Sequence, residues 1–331
     1  MKAYAPGRVN LIGDHTDYTG GLVLPMAIDR GTTIDAAISP GDEVRLDSVD
    51  ERGAAVVPLD VRDPASIEPE WARYVAGVVA VLRPMHGVAG SVRSTLPLGA
   101  GLSSSSSLTV AAALALGFDG SPHELALACQ RAEQVATGVP GGVMDQLTAA
   151  VGVAGHALLI DCATLTVTPV PLPDGVDIVV VHSGVRRRLS GSAYAQRRGE
   201  CEAAERALGQ PLRTATTTDV ALLDDVVLRR RARHVVTENE RVAVVARAFA
   251  GADLAVVGEA MAESHASLRD DFEVSTPVLD ALVRRLTDTP GVIGARLTGA
   301  GFGGCVVALA HAGVALDGRK VCAAGPAYVE P

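Results

Sequence analysis

Apolar and polar positions along the chain predict strands and helices in both of its halves. Residues 88–96 alternate between apolar and polar side chains, which predicts a strand. Residues 108–116 are rich in Ala and Leu, two strong helix formers, and predict a helix. Continuous apolar runs predict further, buried strands at 157–162, 176–182, 292–297 and 305–310.

Capping residues mark where several helices begin. Ser121 is followed by Pro122 and then by Glu124, which together predict a capping box with proline at the first helical position. Gly138, followed by Pro140, predicts the end of that helix. Similar signals predict helix starts at Thr237 with Glu240, at Asp253, and at Thr276 before Pro277.

A glycine- and serine-rich segment, residues 96–108, lies between the strand at 88–96 and the helix at 108–116. Its glycines, Gly99 and Gly101, allow a tight turn, and Ser103, Ser104 and Ser105 begin the helix. Free N–H groups and the helix dipole make such a start an anion site, so we expect a phosphate there. A flexible linker fits poorly between an apolar strand and an Ala/Leu helix.

The segment lacks the lysine of a Walker A motif. The chain contains only two lysines, Lys2 and Lys320, one near each end. A bound nucleotide would therefore depend on backbone groups, hydroxyls and a metal ion.

Ionisable residues cluster in PGRVNLIGDHTDY, residues 6–18, around a short apolar core. Arg8, Asp14, His15 and Asp17 lie within ten residues of one another, with glycines on both sides of the cluster. Most such clusters are solvated turns, and the spacing matches no recognised metal motif. From the residues alone, a polar ligand site and a solvated turn remain open.

Other candidates are weaker when each is taken alone. Asp145 is expected in the first turn of a helix, where the dipole stabilises a carboxylate. Glu133 lies at the edge of an apolar helix face, where acids are more often surface charges. Trp71 begins a predicted helix and either fills the core or flanks a flat ring. The arginines at 186–188 either form a solvated surface or neutralise charge that develops on a phosphate. Tyr194 lies at the start of a predicted charged helix.

Composition narrows the possible functions. Hydrophobic residues make up 48% of the 331 residues but aromatic residues only 3%, so the core must consist of Val, Leu and Ala. The net charge of −9, with no basic stripe, argues against nucleic acid as a partner. The five cysteines are widely spaced, which is typical of reduced cysteines in a cytoplasmic protein. No signal peptide or membrane span is expected.

Three motifs, at 7–18, 97–105 and 297–305, together resemble the signatures of the GHMP small-molecule kinases, and the first resembles the galactokinase branch. The resemblance extends over nearly the whole chain. It implies an α+β, two-lobed fold: a ribosomal-S5-domain-2-like lobe at 1–173 and a ferredoxin-like lobe at 174–331. It also implies transfer of the γ-phosphoryl group of ATP to the anomeric hydroxyl of galactose, with Mg²⁺.

The resemblance also implies roles for individual residues. Asp145 is expected beside the attacking hydroxyl, with Arg8 paired to it and Arg186 assisting nearby. The remaining assignments are Asp14, His15, Asp17, Gly142 and Tyr194 for the sugar, Trp71, Gly99, Gly101, Ser103, Ser104 and Ser105 for the nucleotide, and Ser105 and Glu133 for the metal.

Two positions depart from the galactokinase pattern: Asp14 replaces the usual Glu, and His182 replaces the usual Asn. A GHMP kinase for a related sugar or amino sugar is therefore an alternative. A non-catalytic galactose sensor is a second alternative, disfavoured because the serine segment has its full length and Asp145 is present. The expected partners are the sugar and ATP, with no obligate protein partner.

Overall fold

A computed structural model describes residues 1–97, 101–185 and 191–330, without the side chains of 191 and 192. Within these ranges the strands form a six-stranded sheet, a four-stranded sheet and a three-stranded sheet. The strands are β1 Lys2–Asn10, β2 Leu22–Val23, β3 Pro25–Ser39, β4 Glu43–Ser48, β5 Ala54–Pro58, β6 Gly87–Ser94, β7 His156–Asp161, β8 Thr166–Pro171, β9 Val176–His182, β10 Val292–Thr298, β11 Cys305–His311, β12 Arg319–Val321 and β13 Tyr328–Glu330.

The α-helices of the described residues pack around the apolar cores of the sheets. They are α1 Ala72–Leu82, α2 Ser104–Ala115, α3 Pro122–Thr137, α4 Met144–Val151, α5 Gly191–Leu208, α6 Thr217–Ala221, α7 Val226–Ala250, α8 Leu254–Asp270 and α9 Pro277–Thr287. None of these helices is both long and apolar enough to cross a lipid bilayer.

The first sheet has the strand order β13-β1-β3-β6-β4-β5, and α1 to α4 pack with it around an apolar core. Small residues let these helices approach closely: a Cβ on Gly77 of α1 would lie 2.2 Å from the carbonyl oxygen of Ala132 in α3. Val and Ala make up most of this core. A chain this poor in aromatic residues thus fills its interior by bringing backbones close together.

The second sheet, ordered β10-β11-β9-β12, packs against helices from the second half of the chain. A further apolar cluster combines residues of β1 and β3 with residues of β9, β11 and α7, so the two halves share a core. The chain then returns to the first sheet, because Tyr328 of β13 pairs with Tyr4 of β1. The boundary at 173/174 stays a prediction.

The predicted elements are confirmed where the signals are local. The Ser121–Glu124 capping box is present, and Asp253 and Thr276 cap α8 and α9. The predicted helix start at Thr237 is wrong. Helix α7 runs through that position from its N-cap at Asp225, and the Thr237 hydroxyl donates to the carbonyl of Arg233 inside the helix. Buried residues on both sides of Thr237 keep the helix continuous.

Candidate active site

The serine segment begins α2 in a way that leaves its first backbone N–H groups available. Ser103 is the N-cap, in a left-handed conformation with φ of 58°, and its side chain makes no capping hydrogen bond. Its hydroxyl instead donates to Oδ2 of Asp145 at 2.5 Å. The first-turn N–H groups of a helix have no partner inside it, so this N-terminus is a candidate anion site. The predicted contact Gly99 lies outside the described residues.

Strand β1 passes directly beneath this segment because of Gly7. A Cβ there would lie 2.6 Å from the carbonyl oxygen of Leu102 and 2.5 Å from the Leu96 side chain. The next residue, Arg8, donates its backbone N–H to the same Leu102 carbonyl at 3.2 Å. The first motif and the glycine- and serine-rich segment are far apart in sequence, and these contacts bring them together.

Arg8 and Asp145 form a two-armed ion pair at this crossing. Nε of Arg8 donates to Oδ1 of Asp145 at 2.7 Å, and Nη2 donates to Oδ2 at 2.6 Å. The third nitrogen, Nη1, donates to the Gly101 carbonyl at 2.8 Å. The Arg8 side chain is 7% exposed and that of Asp145 is 25% exposed. Asp145 therefore has its charge balanced while one edge stays accessible to a substrate.

A cavity of about 290 Å³ extends from Arg8 and Asp145 along Gly101 and the serines 103–105. Trp71 and Tyr74 line it as well, and the indole N–H of Trp71 is buried without a hydrogen-bond partner among the described residues. An aromatic pair and an unused donor suit a flat, nitrogen-containing ring. Tyr74 was missed at the sequence level, although its position three residues after Trp71 on a helix was a usable signal.

Glu133 of α3 lies near the start of α2, half-buried, with oxygen donors around it. Its Oε1 accepts from Gln146 Nε2 at 2.9 Å, and Ser105 and Ser106 also hydrogen-bond its carboxyl. Burial raises the pKa of Glu133, and the charge of Asp145 adds to that shift. Mg²⁺ in nucleotide sites is bound by a few oxygen ligands of the protein together with the phosphates, and the Glu133 carboxylate beside the Ser105 hydroxyl matches that requirement.

Asp17, Gly142 and Tyr194 lie together, near enough to Asp145 for its charge to act on Asp17 and Tyr194. A Cβ on Gly142 would lie 1.8 Å from Oδ2 of Asp17, so only glycine lets this carboxylate lie against the backbone. Tyr194 hydrogen-bonds the backbone of Gly142. Burial raises the pKa of Asp17 to about 7, and the carboxylate of Asp145 contributes to that shift. A second cavity, of about 330 Å³, begins at Asp17 and Gly142.

His15 and Asp14 are tied to the second half of the chain. His15 Nε2 donates to the Ala300 carbonyl at 3.3 Å, so its Nδ1 can accept from the Tyr18 hydroxyl at 3.0 Å. Asp14 is 2% exposed; Oδ1 accepts from the Gly299 N–H at 2.8 Å, and Oδ2 lies 2.7 Å from Nη2 of Arg296. The structure thus uses both Asp14 oxygens within the protein. Arg186 lies outside the described residues.

Comparisons with known proteins identify the family of the chain. The model of the galactokinase galactose-binding signature matches residues 2–39, and the GHMP kinase N-terminal and C-terminal domain models match residues 73–153 and 245–327. A galactokinase of Chloroflexus aggregans is 46% identical over 94% of this chain and 84% of the relative. Human galactokinase is 44% identical over 95% and 85%. The chain belongs to the galactokinase family.

Solved structures support the same relationship. The crystal structure of Lactococcus lactis galactokinase complexed with galactose has a TM-score of 0.91 and 32% identity, and the match covers 99% of this chain and 94% of that one. A mevalonate kinase from Methanococcus jannaschii, at 22% identity and a TM-score of 0.68, shares the fold. The fold is thus the α+β GHMP kinase fold that the motifs implied, and this family member is an ATP-dependent small-molecule kinase.

Proposed function

We propose that this galactokinase family member transfers the γ-phosphoryl group of ATP to the anomeric hydroxyl of α-D-galactose, giving ADP and α-D-galactose 1-phosphate. The observation that supports this most directly is the contact between motifs. Arg8 of the sugar signature holds both oxygens of Asp145 and the Gly101 carbonyl of the phosphate segment. The names of the galactokinase relatives, and the galactose complex of one of them, support galactose as the sugar.

Asp145 is the residue that we assign to the attacking hydroxyl. Its accessible edge borders the cavity that the serine segment also lines. Arg8 balances its charge and fixes the direction of both oxygens, so the carboxylate accepts the hydroxyl proton as transfer proceeds. Phosphoryl transfer through a loose transition state needs positioning more than base strength, and a fixed acceptor supplies positioning. We also assign an assisting role to Arg186.

The nucleotide would lie in the cavity beside Asp145. We assign its ring to Trp71 and its phosphates to the turn at Gly99 and Gly101 and to the N–H groups and hydroxyls of Ser103, Ser104 and Ser105. When bound, Mg²⁺ would be held by Glu133 and Ser105 and would neutralise charge on the phosphates. We also propose a cytoplasmic location and lobes at 1–173 and 174–331.

The sugar would lie between Asp145 and the group formed by Asp17, Gly142 and Tyr194. Burial raises the pKa of the Tyr194 phenol well above its ordinary value, so it stays protonated and can donate to a sugar oxygen. Asp17 offers acceptor oxygens next to the Gly142 backbone. The His15 ring packs against the Tyr194 ring. The Asp14 oxygens already bind Arg296 and the Gly299 N–H, so Asp14 could accept a hydrogen bond from a sugar hydroxyl only through a remaining lone pair.

A coupled ADP-release assay over a panel of sugars tests the proposal. Galactose should give the highest kcat/KM, above 2-amino and 6-substituted analogues. A preference for an analogue would favour the alternative, a kinase for a related sugar or amino sugar. Sugar binding without any ADP release would favour a non-catalytic sensor.

Replacing Glu133 with glutamine should raise the Mg²⁺ concentration needed for half-maximal activity and lower kcat. The amide keeps the size and one oxygen but loses the charge that binds the cation. The measurement is a Mg²⁺ titration at saturating ATP and sugar. Glu259→Gln, an exposed position on α8, is the control. An unchanged Mg²⁺ dependence in Glu133→Gln would show that Glu133 does not hold the metal.

Sugar binding should weaken as the pH falls below about 7, because the pKa of Asp17 is raised to about 7. Its ionised form, present above that pH, is the better acceptor for sugar hydroxyls. We expect kcat/KM for the sugar, but not KM for ATP, to decline from pH 8 to pH 6. The ratio of kcat/KM for the sugar in Asp17→Asn to that in the wild type should change with pH around this same pKa. A constant ratio across this range would rule out Asp17 as the titrating group.

A further inference from the structure

Arg296 of β10 is 0% exposed and is the largest fully buried side chain of the described residues. A guanidinium removed from water is costly unless its charge and its donors are matched. Its residue precedes the third glycine-rich motif, and none of the roles assigned above includes it. The identity of its partners therefore indicates what it does.

Two of the partners of Arg296 belong to the sugar-signature segment, residues 11–17. Nη1 donates to the Leu11 carbonyl at 3.1 Å, and Nη2 lies 2.7 Å from Oδ2 of Asp14. Nε donates to the Ser264 hydroxyl of α8 at 3.0 Å. One side chain thus fixes the backbone and a carboxylate of the segment and connects both to α8.

Glu238 of α7 binds the same segment at Gly13, the residue before Asp14. It is 0% exposed, and its Oε1 accepts from the Gly13 N–H at 3.0 Å and from the Ser264 hydroxyl at 2.6 Å. Burial alone would raise the pKa of Glu238, but Arg296 and Arg241 outweigh it and lower the pKa to about 2. The carboxylate therefore stays ionised, and two arginines balance Glu238 and Asp14.

The backbone of the segment has positive φ angles at two positions, a conformation that surrounding contacts must stabilise. Gly13 has a φ of 97° and His15 a φ of 68°, which is uncommon for a residue with a side chain. Between them, the Asp14 carbonyl accepts from Nε2 of His234 at 3.1 Å. His15 and Asp17 follow within the next three residues: His15 packs against Tyr194, and Asp17 lines the second cavity.

We propose that Arg296 is a positioning residue for the sugar: through Leu11, Asp14 and Ser264 it holds the segment that presents His15 and Asp17. This inference rests on the proposed function. It predicts that loss of Arg296 changes sugar binding, while the nucleotide side, lined by Trp71, Gly101 and the serines 103–105, is little affected.

The test compares Arg296→Met and Arg296→Lys with a matched control, Arg213→Met. Arg213 also pairs with an aspartate, Asp161, at 2.8 Å, but both side chains are partly exposed, and among the described residues neither hydrogen-bonds to residues 11–17. KM for sugar, KM for ATP, kcat and Tm are measured for each variant, using the sugar on which the wild type is most active. That choice separates a wrong sugar assignment from a wrong role for Arg296.

Arg296→Met should raise KM for the sugar at least ~10-fold, because breaking a buried pair leaves Asp14 uncompensated. KM for ATP should stay at the wild-type value. Arg296→Lys keeps the charge but loses the planar set of guanidinium donors, so its KM for the sugar should lie between those of the wild type and Arg296→Met. Arg213→Met should leave both KM values unchanged. A wild-type KM for sugar in Arg296→Met, or equal rises for sugar and ATP, would overturn the proposal.

Ser264→Ala provides the decision if neither Arg296 variant folds. This change removes a hydroxyl that accepts from Arg296 and donates to Glu238, and among the described residues Ser264 makes no hydrogen bond to residues 11–17. A rise in KM for the sugar with unchanged KM for ATP would support the positioning role. An unchanged KM for the sugar would contradict it.

Discussion

Asp145→Asn is expected to lower kcat by about 10²–10⁴-fold, the range typical for loss of a general acid–base group. The amide is nearly the same size and keeps one oxygen for Arg8, whose Nη1 also retains the Gly101 carbonyl. The fold should therefore persist. What is lost is an anionic acceptor that two arms of Arg8 and the Ser103 hydroxyl hold in one orientation.

Single-turnover phosphorylation of the sugar measures this prediction without interference from product release. Circular dichroism and Tm show whether the variant is folded, and Asp174→Asn, at an exposed position, is the control. KM values should change less than kcat, because the acceptor acts mainly in the transition state. Turnover at the wild-type rate would show that Asp145 has no catalytic role.

Arg8→Met is expected to cause a second large loss, in both activity and stability. The guanidinium fills a site that is 7% exposed and satisfies three acceptor atoms, two on Asp145 and one on Gly101. Removing one partner of a buried pair costs roughly 3–5 kcal/mol. We expect about the lower value, because the Asp145 side chain is 25% exposed and water can solvate it in part.

A double-mutant cycle makes this prediction specific. If Arg8 acts by fixing Asp145, then Arg8→Met in an Asp145→Asn background should cost little further activity. Urea unfolding of the four proteins gives the stability terms, and single-turnover rates give the activity terms. Independent, additive losses in rate would mean that Arg8 acts on the phosphates rather than through Asp145.

Much of the local structure was predictable from the sequence because it depends on residues a few positions apart. Ser121 and Glu124 form their capping box within one helical turn, and Asp145 lies in the first turn of α4 after a glycine pair. Composition also predicted a core of small aliphatic residues. These features follow from short-range hydrogen bonds, backbone preferences and side-chain volume, which the chain specifies directly.

Thr237 shows where local signals fail. Threonine followed three residues later by glutamate is a helix-start pattern, but the structure places it inside α7. His234, Val235, Val236 and Glu238 are all buried around it. Packing along the whole helix outweighs a capping preference worth about 1 kcal/mol.

By itself, the sequence determined the family motifs and most of the strands and helices, and the resemblance of those motifs to the galactokinases implied the pairing of Arg8 with Asp145. Only the tertiary structure decided where Asp14 is directed: Arg296 binds the carboxylate of Asp14 and, at a separation of 285 residues, the carbonyl of Leu11. Such a contact has no local periodicity or spacing. It forms because the folded core removes these charges from water, and each must then find an opposite charge or a hydrogen bond within reach.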